Sequence, residues 1–357
     1  MSSETASLFQ PLQLGDITIR NRVGMSALTR NRAPGTVPND VMDEYYVQRA
    51  VGGAGLIQVS AWKKITDDVH AAGSYIYAQL WHLGRVSHPD APEQKLAGVP
   101  VYAPSAIAAR GGKFRHLPGL PGYVTPTAID DPWTIIKQFK EAATNAKEAG
   151  FDGVELHGAN GYLITQFLDT NSNQRTDQWG GSVENRSRFG LEVLKALVEV
   201  FGRNVAVKLS PTGGYNDRFL KMPLQETLDT YSYFITEADK LNLAYITLVR
   251  YSAMTDVEFE WKRATYHDIV ESYRHLIKNA KVFVNAGVTP EEGAKLISSG
   301  TADAISIGFS WITHPDLVKR IQHGKPLNNI PDFPHLQWGK SEKDLRVGYT
   351  DYPEAEY

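Results

Sequence analysis

FDGVELHGANGYLITQFLDTNSNQRTDQWGGSVENRSRF, residues 151–189, is the stretch on which the fold turns. Its apolar start predicts a strand over 153–157, followed by a long polar loop and a helix over 190–201. His157, Asn160 and Tyr162 fall where that strand stops. An imidazole, a carboxamide and a phenol at one strand end suit the gripping or protonation of a polar substrate.

The same alternation extends in both directions. Residues 8–23 read as two short alternating runs around Gly15 and Asp16, a β-hairpin signal. Strands are predicted over 22–28, 55–60 and 75–80, with helices over 40–50 and 62–72 between them. After 131 come a helix over 132–149, strands over 204–210, 244–249, 281–285 and 303–308, and helices over 224–241, 264–279, 290–299 and 315–323. Asp131 before Pro132 reads as a helix N-cap with proline in the first turn. Runs such as VAVKL and AISIG are nearly all apolar, as a sheet covered on both faces requires. Eight strand-helix units predict an α/β chain folded as one closed (β/α)8 TIM barrel domain over 1–357, with an N-terminal hairpin. Residues 86–131, rich in Pro, Gly and Ala, break the rhythm after the third barrel strand. Their aromatic and apolar anchors predict an inserted lid subdomain. The second strand runs almost directly into its helix near Ala61, so its loop is nearly absent.

Bulk properties narrow the function. A chain of 357 residues with net charge −3 gives no footprint for nucleic acid or an anionic membrane. Cysteine is absent, which excludes disulfides and thiolate chemistry. The N-terminus has no signal-peptide pattern and no apolar run approaches ~18 residues. The expectation is a soluble cytoplasmic protein, monomeric or homodimeric. His82 and His88 have no partners at metal-ligand spacing, so no metal site is predicted.

VELHGANGYLITQFLDTNSNQRTDQWGGSVENRSRF closely resembles the signature of the Old Yellow Enzyme family, FMN-dependent ene reductases on a (β/α)8 barrel. LFQPLQLGDITIRNRV, YAQLWHLGRVSHPD and the terminal GYTDYP extend the resemblance over nearly the whole chain. The resemblance implies that His157 and Asn160 bind the carbonyl oxygen of an α,β-unsaturated substrate, an oxyanion-hole arrangement. It implies Tyr162 as the acid that protonates the α-carbon. Thr29 matches a hydroxyl bonded to the flavin ring, and Gln79 an amide on its pyrimidine edge. Both also read as residues that satisfy hydrogen bonds at a barrel mouth. Trp81 matches a wall of the substrate pocket, and Tyr352 lies in the tail that folds near the site. Taken alone, His157 reads as a structural histidine; in register with Asn160 and Tyr162 it reads as functional.

Four departures fall on flavin binding. Lys208 stands where the family usually has an arginine, keeping charge but not the bidentate fork. Lys208 reads equally as a relic charge or an anchor for an acidic substrate group. Gly308 is followed by Phe309 where the family has a phosphate-gripping arginine. Ala286 precedes Gly287 in a turn where glycine permits close backbone approach to phosphate. The fourth is the near-absent loop after Ser60. The sixth strand also ends differently, in LVRYSAM. Losing one charge-assisted bond removes ~1.5–3 kcal/mol, roughly ten- to a hundredfold in affinity. Four losses on one ligand predict that FMN binding, through Thr29, Gln79, Lys208, Gly287 and Gly308, is weakened or lost. The function expected is then a flavin-free isomerisation or cyclisation, pericyclic closure included, of an unsaturated carbonyl metabolite by His157, Asn160 and Tyr162. Trp81, Lys208 and Tyr352 would line the substrate. The alternatives are an FMN- and NAD(P)H-dependent ene reductase and a catalytically silent binding barrel.

Overall fold

Short apolar strands that alternate with amphipathic helices bury both faces of a sheet only if the sheet is parallel and wrapped by helices. The computed structural model describes residues 3–59, 63–111, 117, 119, 122–218, 222–253, 266–337 and 344–357. In chain order the elements are β1 (Leu12–Leu14), β2 (Ile17–Ile19), β3 (Val23–Met25), α1 (Asp40–Val51), β4 (Leu56–Val59), α2 (Lys63–Ala71) and β5 (Tyr75–Leu80). Then follow α3 (Pro92–Ala97), β6 (Tyr102–Ala103), β7 (Thr127–Ala128), α4 (Pro132–Glu148), β8 (Gly153–Gly158), α5 (Leu163–Leu168), α6 (Val183–Phe201) and β9 (Val205–Leu209). The chain continues through α7 (Leu224–Asp239), β10 (Tyr245–Val249), α8 (Ile269–Tyr273), β11 (Lys281–Asn285), α9 (Pro290–Ser298), β12 (Ala304–Ile307), α10 (Phe309–Thr313) and α11 (Leu317–His323).

Strands β3, β4, β5, β8, β9, β10, β11 and β12 close into a TIM barrel, and β1 and β2 pair ahead of it as an antiparallel hairpin. Among the described residues no helix is long and apolar enough to cross a membrane.

The chain divides into two compact units. The first comprises Met1–Gln79, Ala143–Glu155 and Lys281–Tyr357. Within it Ile305 lies opposite Val23, and Gly24 opposite Leu56. Leu14, Ile19, Leu56, Ile76, Phe283 and Trp311 are buried there. Three buried arginines hold its C-terminal segment. Arg30 donates to the Leu336 and Gly348 carbonyls, and Arg32 to those of His335, Leu345 and Val347. Arg49 donates to the Tyr349 carbonyl.

The second unit comprises Leu80–Ala142 and Leu156–Ala280. There Ala206 lies opposite Tyr245, and Phe167 stacks on Phe189 with ring centroids 4.0 Å apart. Burying one such side chain contributes ~1.5–3 kcal/mol. The inserted segment carries α3 and a short parallel pairing of β6 with β7.

Most element ends follow from local chemistry. The Asp131 carboxylate accepts from the Trp133 N–H, so α4 starts at its proline as the sequence predicts. Helix α6 begins at Val183, well before residue 190, because the Ser182 hydroxyl caps it at Asn185 N. The helix expected over 264–279 is far shorter. Its first residues lie outside the described ones; Asp268 caps α8, and the Asp239 carboxylate takes the N–H groups of Lys278, Asn279 and Ala280.

Candidate active site

Period-two alternation along β8 puts Glu155 and His157 on the same face of that strand. Beyond the strand, Asn160 (φ 60°) and Gly161 (φ 76°) turn left-handed in succession. The chain reverses there and enters α5, with Tyr162 as its N-cap. Glycine is required at 161, since a Cβ would lie 2.8 Å from the Tyr215 carbonyl oxygen. The turn sets the Tyr162 ring edge-on to His157, centroids 5.1 Å apart. Trp81, just past β5, completes the cluster at 5.8 Å from His157 and 4.8 Å from Tyr162. Trp81 is 42% exposed and His157 only 8%, so the indole is the outer wall and the imidazole the floor.

The imidazole has a defined state. Its Nδ1 accepts from the Ala159 N–H at 3.2 Å, which leaves the ring proton on Nε2. Burial, then the nearby Lys208 and Arg218 cations, push its pKa down to about 3. His157 is therefore a neutral N–H donor throughout the physiological range.

Asn160 is held at several points. Its N–H donates to Ser210 Oγ at 2.7 Å, and its carbonyl accepts from Asn216 Nδ2 at 2.9 Å. Its Oδ1 lies 3.5 Å from Arg218 Nη1. Arg218 is buried and also donates to the Gly213 carbonyl, to Ser210 Oγ and to the Thr212 carbonyl. Lys208 is likewise buried, on β9.

The first unit holds a second polar set. Gln79 donates to Glu155 Oε1 at 2.6 Å, Gln58 to Oε2 at 3.3 Å, and Ser306 Oγ to Gln58 Oε1 at 3.2 Å. Asn285 Nδ2 donates to the Ser306 carbonyl at 2.6 Å. Gln79 thus turns its amide N–H to the buried Glu155 carboxylate. Thr29 follows β3 and is exposed; Gly287 follows β11 and Gly308 follows β12. Ala286 (φ 76°) and Gly287 (φ 65°) form a left-handed pair. A cleft of about 640 Å³ lies beside the turn at Gly287, lined by Gly287, Thr289, Ser310, Arg320 and Lys325 among others; neither Thr29 nor Gly308 lines it. Tyr352, in the tail, accepts the Asp332 N–H on its phenol oxygen at 2.8 Å.

Comparison with known proteins identifies the scaffold. The model of the NADH:flavin oxidoreductase / NADH oxidase family matches residues 7–61 and 57–328. The chain belongs to that family. It is 33% identical to 12-oxophytodienoate reductase 7 of Oryza sativa subsp. japonica, over 98% of this chain and 94% of that protein. It is 35% identical to a probable flavin mononucleotide-dependent alkene reductase of Leishmania infantum, over 97% of each. It is similar to morphinone reductase in complex with tetrahydroNAD, with TM-score 0.83, 35% identity and 98% coverage of both chains.

Membership of this flavin oxidoreductase family corrects the functional expectation. The relatives aligned over nearly the full length are reductases, which overturns the flavin-free isomerase or cyclase. The family is one of enzymes, so the silent barrel falls with it. Nothing in the structure shows a degraded flavin site. Ala286 takes the left-handed conformation in spite of its Cβ, a strain of ~1–2 kcal/mol that leaves the turn formed. Phe309 removes a charge, but its ring is 48% exposed. The connection at 60–62 lies outside the described residues. His157, Asn160, Tyr162, Trp81 and Lys208 belong to the second unit; Thr29, Gln79, Gly287, Gly308 and Tyr352 belong to the first. Sequence reasoning does not reach Arg218, which no motif marks, or Glu155, whose only signal is its place in the β8 strand.

Proposed function

We propose that this protein is an FMN- and NAD(P)H-dependent ene reductase that reduces the activated C=C bond of an α,β-unsaturated carbonyl compound. The observation that carries this is the neutral His157, with its proton on Nε2, beside Asn160 and Tyr162 at the end of β8. Two neutral donors on a carbonyl oxygen withdraw electron density from the conjugated C=C bond and stabilise the enolate that forms when the β-carbon gains hydride. A neutral donor does this without handing its own proton away prematurely. The Tyr162 phenol then supplies the α-carbon proton. Trp81 offers an apolar wall for the carbon skeleton, and Tyr352, with its hydroxyl on the Asp332 N–H, offers its ring.

The residues fit FMN. A side-chain amide at Gln79, a hydroxyl on Thr29, a buried cation at Lys208 and a left-handed turn at Ala286 and Gly287 are chemical types that suit a flavin ring and its phosphate. FMN, when bound, supplies the hydride that it takes from a reduced nicotinamide. The Ala286–Gly287 turn would be what the first unit offers the phosphate, and Lys208 the cation that the second unit offers; with Phe309 in place of a guanidinium the charge available to it would be lower.

The test is direct. Purified protein reconstituted with FMN should turn yellow and, without oxygen, oxidise NADPH in proportion to 2-cyclohexenone reduced. A colourless protein that neither retains added FMN nor consumes NADPH with any cyclic enone refutes the proposal.

A further inference from the structure

The loop after β9 is bent in a way that ordinary residues resist. Asn216 (φ 57°) and Asp217 (φ 61°) are both left-handed, although neither is glycine. Asn and Asp tolerate this region singly, but two in succession are uncommon, and here the surroundings hold them. The buried Asp217 carboxylate accepts from Arg110 Nε at 2.8 Å, from Arg110 Nη2 at 2.7 Å and from the Arg110 backbone N–H at 2.8 Å. The Asp217 carbonyl accepts from the buried Arg85 at 2.9 Å. Both arginines come from the segment between β5 and β7. The bend points three groups at one residue. Asn216 holds the Asn160 carbonyl; Arg218 faces Asn160 Oδ1 and also bonds Ser210 Oγ; that oxygen in turn accepts the Asn160 N–H. With Oδ1 turned to a guanidinium, the Asn160 amide N–H groups are left to face a ligand.

We infer that Arg218 is a positioning residue for Asn160, and that Arg110, by clamping Asp217, makes this positioning depend on the inserted segment. The inference rests on the proposed reading of Asn160 as a donor to the substrate carbonyl. Arg218 would not touch substrate; it would act by fixing one donor of the pair, where a misplacement of an ångström removes most of the benefit.

A double-mutant cycle on the FMN-loaded enzyme tests this. Arg218→Gln should raise KM for 2-cyclohexenone about tenfold, with FMN content unchanged, and Arg218→Lys should recover part of that loss. In an Asn160→Ala background the same Arg218→Gln change should add less than about twofold, because the residue it acts through is gone. Effects that multiply in full overturn the inference. Should Arg218→Gln fail to fold, Arg110→Gln, at the outer end of the clamp, should raise KM about threefold and lose that effect in Asn160→Ala. An unchanged KM there also overturns it. Nitrogen-15 relaxation of the Asn160 side-chain amide, assigned by its loss in Asn160→Ala, reads the positioning without substrate. The amide should be ordered in the wild type and mobile in Arg218→Gln, and equal order in both overturns the inference. A wild type that shows the ordered amide but no enone reduction would refute the proposed function and not this role of Arg218.

Discussion

The turn after β8 and the turn after β11 both run left-handed, and they do so with different means. At the first, Asn160 is a residue type that tolerates φ 60°, and its N–H, carbonyl and side-chain oxygen all face named partners. At the second, Ala286 takes φ 76° with a side chain that gains nothing from it, followed by an exposed Gly287. One turn presents side chains and must fix them. The other is a left-handed pair, the backbone geometry from which N–H groups can cradle an anion, so its dihedral angles matter more than its side chains. The comparison teaches that substitutions at side-chain sites and at backbone sites carry different information about function.

The largest effect should come from the side-chain turn. His157→Ala removes one of two donors to the substrate oxygen, so turnover with an enone should fall by ~10²–10³ while FMN content stays constant. Steady-state kinetics beside the flavin absorbance reads both quantities. A loss of FMN in parallel with activity would place His157 in cofactor retention and blur the comparison.

The same residue makes stability depend on acid. Its folded pKa is about 3, below the ordinary value near 6.5. Below 6.5 the unfolded chain binds a proton that the folded imidazole refuses, so the contribution is complete above that pH and lost as pH falls towards 3. The limiting slope is ~1.4 kcal/mol per pH unit. His82, pushed to about 4 by burial, loses stability in the same window. Urea melts between pH 7 and 4.5 should therefore show a steep acid decline in the wild type and a shallower one in His157→Gln. Equal slopes would mean that His157 is already charged in the folded protein.

A side-chain change at residue 309, outside both turns, predicts a gain. Phe309→Arg restores a cation at the start of α10 and should tighten FMN by roughly ten- to a hundredfold, ~1.5–3 kcal/mol. Fluorescence titration of free FMN measures it. No change would mean that the phosphate does not lie near residue 309.

Legibility in the sequence followed the same division. β5 and β11 begin and end where alternation and composition place them, because a strand buried on both faces announces itself residue by residue. Helix α5 lies within the expected long loop, and α10 falls between two expected elements. LITQFL is buried on every side, so it carries no polar stripe, and FSWIT is barely one turn long. The proximity of His157 and Tyr162 is legible in their spacing at the end of β8. Arg218 is not, since its reach to Asn160 exists only after Asn216 and Asp217 adopt positive φ. The expected loss of flavin binding rests on side-chain types alone. Ala286 looks like a missing glycine in sequence, whereas in the structure it has a glycine-like φ of 76°.

That last point gives the smallest and sharpest prediction. If the turn at 286 is held left-handed against its Cβ, Ala286→Gly relieves ~1–2 kcal/mol of strain in the folded state. The glycine also adds freedom to the unfolded chain, which takes back ~0.4–1 kcal/mol. The net effect on the apoprotein should be a stabilisation of under about 1 kcal/mol, readable as a small rise in urea midpoint with an unchanged m-value. FMN affinity should change little, because residue 286 already has the positive φ that a glycine would take. A large gain in FMN affinity from this one methyl would mean that Ala286 does block close approach of the phosphate, and the backbone turn would then be as side-chain-dependent as the turn after β8.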